Sequence, residues 1–378
     1  MNLDRRRATW LPLALLAAGL LVGARAEAQH YVQQGLVSDQ PGTPFADPNL
    51  VNPWGLARSS GSAWWAANNR TGTATLYNGN TGEPAPLIVT IPTLSGSGVG
   101  SPTGAVFNGT SAFEIQPGFP ARFLFVTLDG TISGWNPGVD GTHAILKVAN
   151  PGAVYTGVAI AERGGDFLLY VANFAQGRIE VYDSSFRRVG KGGSGATSGD
   201  ADVDRDGAKF LFSDRQIPSV FAPFNVQDVG GDLYVTFAKR DPVTTVASGP
   251  GLGFIDVFKP DGQLVRRLPH GQWLNAPWGV ALAPSDFGAF SHNLLVGQFR
   301  SGEIAAYDIS TGAFIGKMLQ PGGDTPVAIE GLWAISFGNG VAGPLNTLFF
   351  TGGIENEEHG LFGRLTAVPS EQLLGNGR

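Results

Sequence analysis

The residues best suited by type and spacing to chemistry are Asp202, Asp204 and Asp206, within Asp202-Val203-Asp204-Arg205-Asp206-Gly207. Carboxylates at positions 1, 3 and 5 with Gly at position 6 match the start of a calcium loop, where glycine permits the sharp turn. Position 12, normally a bidentate Glu, is Ser213, and Asp214 follows it. A bound Ca²⁺ would be structural, with affinity near the ~10⁻⁴–10⁻³ M of extracellular modules. The competing reading is a solvated acidic loop. Other short motifs lack the context their chemistry needs. Gly338-Asn339-Gly340-Val341-Ala342-Gly343 has GxGxxG spacing, but Pro344 and a strand-like run follow where a phosphate-binding helix is required. G-x-S-x-G and HExxH are absent, and His30, His143, His270, His292 and His359 show no metal-ligand spacing. With no Cys there is no thiolate site, disulfide or Cys nucleophile. No catalytic signature stands out.

The elements that position such residues must be short. Gly and Pro supply 55 and 25 of the 378 residues, which favours turns and disfavours long helices. A hydrophobic content of 43%, with 24 Phe and 8 Trp, is enough for a packed core.

The first 28 residues read as a cleavable leader: a basic Arg5-Arg6-Arg7, an apolar run from Trp10 to Val22, and the small-x-small pattern Ala26-Glu27-Ala28. The apolar run is shorter than the roughly 20 residues of a membrane-spanning helix. Export to the periplasm or medium is expected, with no membrane span after cleavage. The formal net charge of −6 becomes more acidic once Arg5, Arg6, Arg7 and Arg25 leave. A dispersed acidic balance disfavours nucleic acid, which needs concentrated Lys and Arg.

Internal repetition organises the remainder. Trp65-Ala66-Ala67-Asn68-Asn69-Arg70 leads to Ala74-Thr75-Leu76-Tyr77-Asn78. Tyr170-Val171-Ala172-Asn173-Phe174 leads to Ile179-Glu180-Val181-Tyr182-Asp183, and Leu295-Val296-Gly297-Gln298-Phe299-Arg300 to Ile304-Ala305-Ala306-Tyr307-Asp308. Each is a strand, a Gly-containing loop and a second strand, preceded by a further strand around Gly55, Gly157 or Gly279. Weaker copies centre on Gly104, Asn225 and Ala334, and Asp129-Gly130 in the first of these signals a two-residue hairpin. Repeats of this length with four strands apiece are blades of a propeller. The sequence therefore predicts an all-β, six-bladed β-propeller over residues 29–368, with a blade-three insertion at about 191–209 and a polar tail at 369–378.

Closure can be read as well. The last copy has three strands, and Tyr31 to Val37 is strand-like without a blade of its own. Since open sheet edges are normally paired or covered, this N-terminal strand is expected to complete blade six.

Leu169-Tyr170-Val171-Ala172-Asn173 to Tyr182-Asp183 resembles the NHL repeat. More broadly, Asn52-Pro53-Trp54-Gly55-Leu56-Ala57, Ala222-Pro223-Phe224-Asn225-Val226-Gln227, Asn275-Ala276-Pro277-Trp278-Gly279-Val280, Gly331-Leu332-Trp333-Ala334 and His359-Gly360-Leu361-Phe362-Gly363 make the chain similar to an uncharacterised family of exported bacterial propellers. Some of its members end in a PEP-type C-terminal sorting anchor, which this sequence lacks. The resemblance implies the fold and assigns no reaction.

In a propeller, the loops leading into the inner strands and those joining second to third strands share one mouth. They offer Trp54, Asn225, Trp278, Glu330 and Trp333 from the first set. From the second come Arg70, Arg300 and the cluster Glu355, Glu357, Glu358 and His359. Aromatic faces beside Arg and amides suit a small molecule or glycan, and an extracellular protein is a further candidate partner. The tryptophans also fit blade-to-blade packing, and Asn68, Asn173 and Gln298, which recur at one repeat position, fit turn stabilisation. The leading reading is a non-catalytic binding or scaffold propeller. The alternative is a metal-dependent hydrolase resembling the gluconolactonases, whose channel ion Glu330 and Asn225 echo two ligands of, though no third carboxylate from another blade is evident.

Overall fold

The computed structural model describes residues 30–189, 202–203, 209–210, 212–242 and 244–370. The described chain is almost wholly strand and turn, arranged as six radial sheets. Blade one runs outward through Pro53–Ala57, Trp64–Asn68, Thr73–Tyr77 and Pro84–Thr90. Blade two has Pro102–Phe107, Phe123–Thr127, Thr131–Trp135 and Ile145–Ala149. Blades four and five repeat the pattern from Phe221–Val229 to Leu264–Arg267 and from Pro277–Leu282 to Phe314–Lys317. Blade three shows Tyr155–Arg163, Asp166–Asn173 and Arg178–Tyr182. Beyond these three strands, Arg188 forms an isolated bridge with Tyr182 and Val189 N donates to Val181 O (2.8 Å), and the chain then enters the stretch outside the described residues.

Blade six contributes Leu332–Phe337, Leu348–Gly352 and Leu361–Ala367, and its fourth strand is Tyr31–Ser38. The pairing is antiparallel from Tyr31↔Ala367 to Ser38↔Leu361. The N-terminal strand thus closes the ring as its sequence predicts. The protein is a six-bladed β-propeller.

Six apolar clusters fill the six blade-to-blade interfaces, and a seventh occupies the axis. The pattern follows from strands buried on both faces, as in Trp64–Asn68 and Phe123–Thr127, where every residue is buried. The seam between the last and first blades is as apolar as the rest. There Trp64 packs 5.1 Å from Phe349, and Tyr77 5.4 Å from Phe362.

Around the axis, Gly55, Gly104, Gly157, Asn225, Gly279 and Ala334 form a ring in which neighbouring inner strands touch. A Cβ on Gly55 would lie 2.6 Å from Ala105 N and Thr103 O, so the close approach of backbones requires glycine. Each inner strand also slips register beside this position, for example between Pro53 and Leu56, Tyr155 and Gly157, and Pro277 and Val280. Such bulges bend a strand and re-aim its side chains. Hydroxyls from the second strand satisfy the displaced backbone: Thr236 Oγ1 accepts from Asn225 N (3.1 Å), and Thr351 Oγ1 from Ala334 N (3.1 Å).

Two local features differ from the sequence expectation. The Asp129-Gly130 turn is a three-residue connection, Leu128 to Gly130, because Gly130 takes φ 79° and bonds back to Thr127 O. Blade two also carries an unforeseen hairpin, Glu114–Gln116 with Phe119–Pro120. Of the acidic loop, Asp202–Val203 pairs with Lys209–Phe210, while Asp204 and Asp206 lie outside the described residues. So do residues 1–29, the expected leader among them.

Candidate functional site at the propeller axis

The bulges turn large side chains onto the axis. Trp54, Trp278 and Trp333 meet Phe174, Phe224 and Phe299 there, and all six are buried. Trp54 stacks on Trp333 at 3.5 Å between centroids, Phe299 stacks on the same indole at 3.9 Å, and Trp278 stands edge-on to both tryptophans. Trp278 Nε1 donates to Thr156 O of blade three (2.9 Å), and Trp333 Nε1 to Asn52 Oδ1 of blade one (3.0 Å). The aromatic residues expected at the mouth therefore form a plug that closes the channel at that end. Phe174 and Phe299, missed in the sequence reading, follow the recurrent Asn173 and Gln298, so the repeat alignment held the signal for them.

A rim of charged side chains lies outside the plug. Arg70 donates to Glu357 O (3.1 Å) and to Glu358 Oε1 (2.7 Å). Arg300 donates to Val246 O through Nε and Nη2 and lies over the Phe299 ring. Glu330 Oε1 accepts from Asn356 N (3.1 Å), and His359 Nδ1 sits 2.6 Å from Asp39 Oδ2. That hydrogen bond to Asp39 raises the His359 pKa. Three consecutive left-handed residues, Glu355, Asn356 and Glu357, shape the blade-six loop, a conformation costly for residues with a Cβ. They bring the Glu357 carboxylate to Asn52 Nδ2 (3.0 Å). Burial pushes its pKa up, more than the Asn52 hydrogen bond, Arg300 and Arg70 pull it down. The rim thus brings Arg70, Glu330 and His359 into one loop cluster around Glu357. Asn68, Asn173 and Gln298 are fully buried and bond to threonines, to Glu180 and to backbone groups.

On the other side of the plug, the channel is open. A cavity of about 290 Å³ extends from Trp278 and the small-residue ring towards the ends of the inner strands. Val106, Val158, Val280 and Ile335 form its apolar walls; Asn225, Gln227, Ser336 and Arg58 supply the polar groups. No carboxylate among the described residues lines it. Asn225 is placed here, on the channel wall, while Glu330 is on the rim and engaged by Asn356, so the two are not brought together. Among the described residues, no group of three or more Asp, Glu or His is placed to hold a metal ion.

Two buried carboxylates lie elsewhere, at equivalent places in the third strands of blades three and four. Burial would raise Glu180, but Arg188, the Tyr155 hydroxyl (2.8 Å), Arg178 and the Tyr182 hydroxyl (2.9 Å) outweigh it and hold the pKa below the usual carboxylate range. Asp256 is less well served. Arg267 Nε reaches Oδ1 (3.1 Å), Oδ2 is buried without a hydrogen bond, and burial pushes the pKa up to about 6.

No family model matches the chain. It is 33% identical over 331 residues to the uncharacterized protein R648 of Acanthamoeba polyphaga mimivirus, covering 84% of this chain and 76% of that protein. It is 34% identical to the uncharacterized protein L690 of the same virus over 298 residues, covering 76% and 73%. Among solved structures, a protein of unknown function from Bacteroides thetaiotaomicron superposes with a TM-score of 0.55 at 10% identity, over 90% of this chain and 76% of that one. Virginiamycin B lyase from Staphylococcus aureus gives 0.52 at 13%, over 90% and 100%. The soluble aldose sugar dehydrogenase of Escherichia coli gives 0.52 at 12%, over 89% and 99%. These likenesses carry the fold alone. The chain belongs to the protein family that includes R648 and L690 of mimivirus.

Proposed function

We propose that this protein is an exported, non-catalytic propeller that binds a small molecule at its axis. The supporting observation is the blind channel: an aromatic plug at one end, an open well at the other, and apolar walls with a few convergent polar groups, the usual make-up of a small-molecule site. Export rests on the leader-like residues Arg5 to Ala28, and bacterial origin on the sequence resemblance, since the relatives named above are viral. No helix among the described residues is long and apolar enough to cross a membrane.

Thermal melting of the protein against a panel of small glycans, lactones and neutral organic molecules tests this reading. At least one compound should raise Tm without being turned over. Metal-dependent turnover of a lactone would replace it with the hydrolase alternative, and a panel without any stabilising compound would remove the small-molecule ligand.

A further inference from the structure

Five of the six ring positions carry Gly or Ala, and the sixth carries Asn225. Asn225 is 4% exposed, with its main-chain N–H bound to Thr236 Oγ1. Its Nδ2 donates to Trp278 O (2.9 Å), which fixes which end of the carboxamide is nitrogen and which is oxygen. The oxygen lies against Gly157, where a Cβ would stand 2.0 Å from it, so the neighbouring glycine leaves room for that atom. No described residue donates a hydrogen bond to this oxygen, and Asn225 lines the well. The oxygen is not sealed off: it keeps surface towards the well, from which the N–H or O–H of a ligand can reach it.

We propose that Asn225 Oδ1 is the acceptor of a ligand-binding site at the base of the well, and that its ligand is a small neutral molecule with an apolar body and one leading hydroxyl or N–H. Val106, Val158, Val280 and Ile335 meet the apolar body. A cation is disfavoured, because among the described residues the well has no carboxylate and Arg58 is its one charged side chain. A donor-free isostere displaces water from the Asn225 oxygen without replacing its hydrogen bond and so binds more weakly. This inference rests on the axial-binding reading above and specifies its chemistry.

The test uses matched probes on the full propeller: cyclohexanol against cyclohexanone, and phenol against anisole. Binding is read by NMR titration, with tryptophan indole resonances reporting position through Trp278 at the base of the well. Cyclohexanol and phenol should bind there, and their donor-free partners about tenfold more weakly. Asn225→Gly, which installs the residue found at four other ring positions, should erase the difference within each pair. Val280→Phe, which keeps Asn225 and fills the well, should abolish binding of all four probes, with Tm confirming that both variants fold. Equal affinity of donor and donor-free probes in the wild type, or a donor preference that survives Asn225→Gly, overturns the proposal. Compounds from the broader panel that still stabilise both variants would overturn it too, while leaving the axial-binding reading with a different site.

Discussion

Trp54 of the first blade lies flat against Trp333 of the last, with centroids 3.5 Å apart and ring planes 18° from parallel. The pair joins the first and last blades across the seam that residues 39–52 also cross, from Tyr31–Ser38 of blade six to Pro53–Ala57 of blade one. Thr351 Oγ1 reinforces it by donating to Trp54 O (2.7 Å).

Truncating this stack should therefore destabilise the whole ring. Trp333→Ala removes a fully buried indole that also contacts Trp278 and Phe299. The expected cost is about 3–5 kcal/mol, measured by urea unfolding followed by far-UV circular dichroism. A loss below about 1 kcal/mol, the range of ordinary surface changes, would mean that the plug is not a stabilising element.

Removing the closing strand should have a different signature. Without Tyr31–Ser38, the edge of Leu361–Ala367 loses its partner, and Phe362 and Leu365 lose cover from one side. An exposed strand edge is a template for association. The truncated protein is expected to elute as oligomers in size-exclusion chromatography, and addition of a peptide of sequence 31–38 should restore the monomer fraction. A truncated protein that stays monomeric with an unchanged Tm would refute the closure argument.

Asp256 predicts a pH dependence with a definite sign. Its folded-state pKa of about 6 lies above the 3.8 of the unfolded chain, so between pH 4 and 6 the folded state holds a proton the unfolded state has lost. Stability then falls as pH rises through that window, by roughly 3 kcal/mol for two units of pKa. Asp256→Asn should remove this fall, with Arg267 still paired to Asp214. Urea unfolding of both proteins at pH 4, 5, 6 and 7 checks it, and identical slopes for the two would sink the assignment.

The acidic loop remains a proposal for calcium. If Asp202, Asp204 and Asp206 hold the ion, calcium at several millimolar should raise Tm, chelator should reverse the rise, and Asp204→Ala should abolish the response. No calcium-dependent shift in the wild type would make the loop an ordinary solvated one.

The fold was legible because the repeat is written in residue types that geometry demands. Gly55, Gly104, Gly157 and Gly279 recur since backbones touch at the axis, and Tyr31 to Val37 stands out as a strand without a blade. The site was less legible. Trp54, Trp278 and Trp333 could be placed near the axis, yet whether they line a mouth or seal it depends on bulges that carry no sequence mark beyond the adjacent glycine. The open well escaped notice for a related reason. Arg58, Val106, Gln227 and Ser336 come from different blades and share no residue type, so only the folded ring gathers them. Asn225 drew attention as a hypothetical ion ligand, and its actual commitment to Trp278 O is a contact between blades four and five that spacing alone does not encode.

The pairing of Tyr31–Ser38 with Leu361–Ala367 also sets an order of events for the growing chain. Tyr31–Ser38 is made before any of the other five blades, and its antiparallel partner Leu361–Ala367 after all of them, so that edge waits open while the blades between are synthesised. Its bond from Arg364 to Gln34 spans 330 positions of sequence, and such distant contacts are slow to form. Blades one to five can assemble in sequence as they emerge, each on its predecessor. The circle itself is completed only once Leu361–Ala367 is available, which makes any copy that stops short of it an open ring with two adhesive edges.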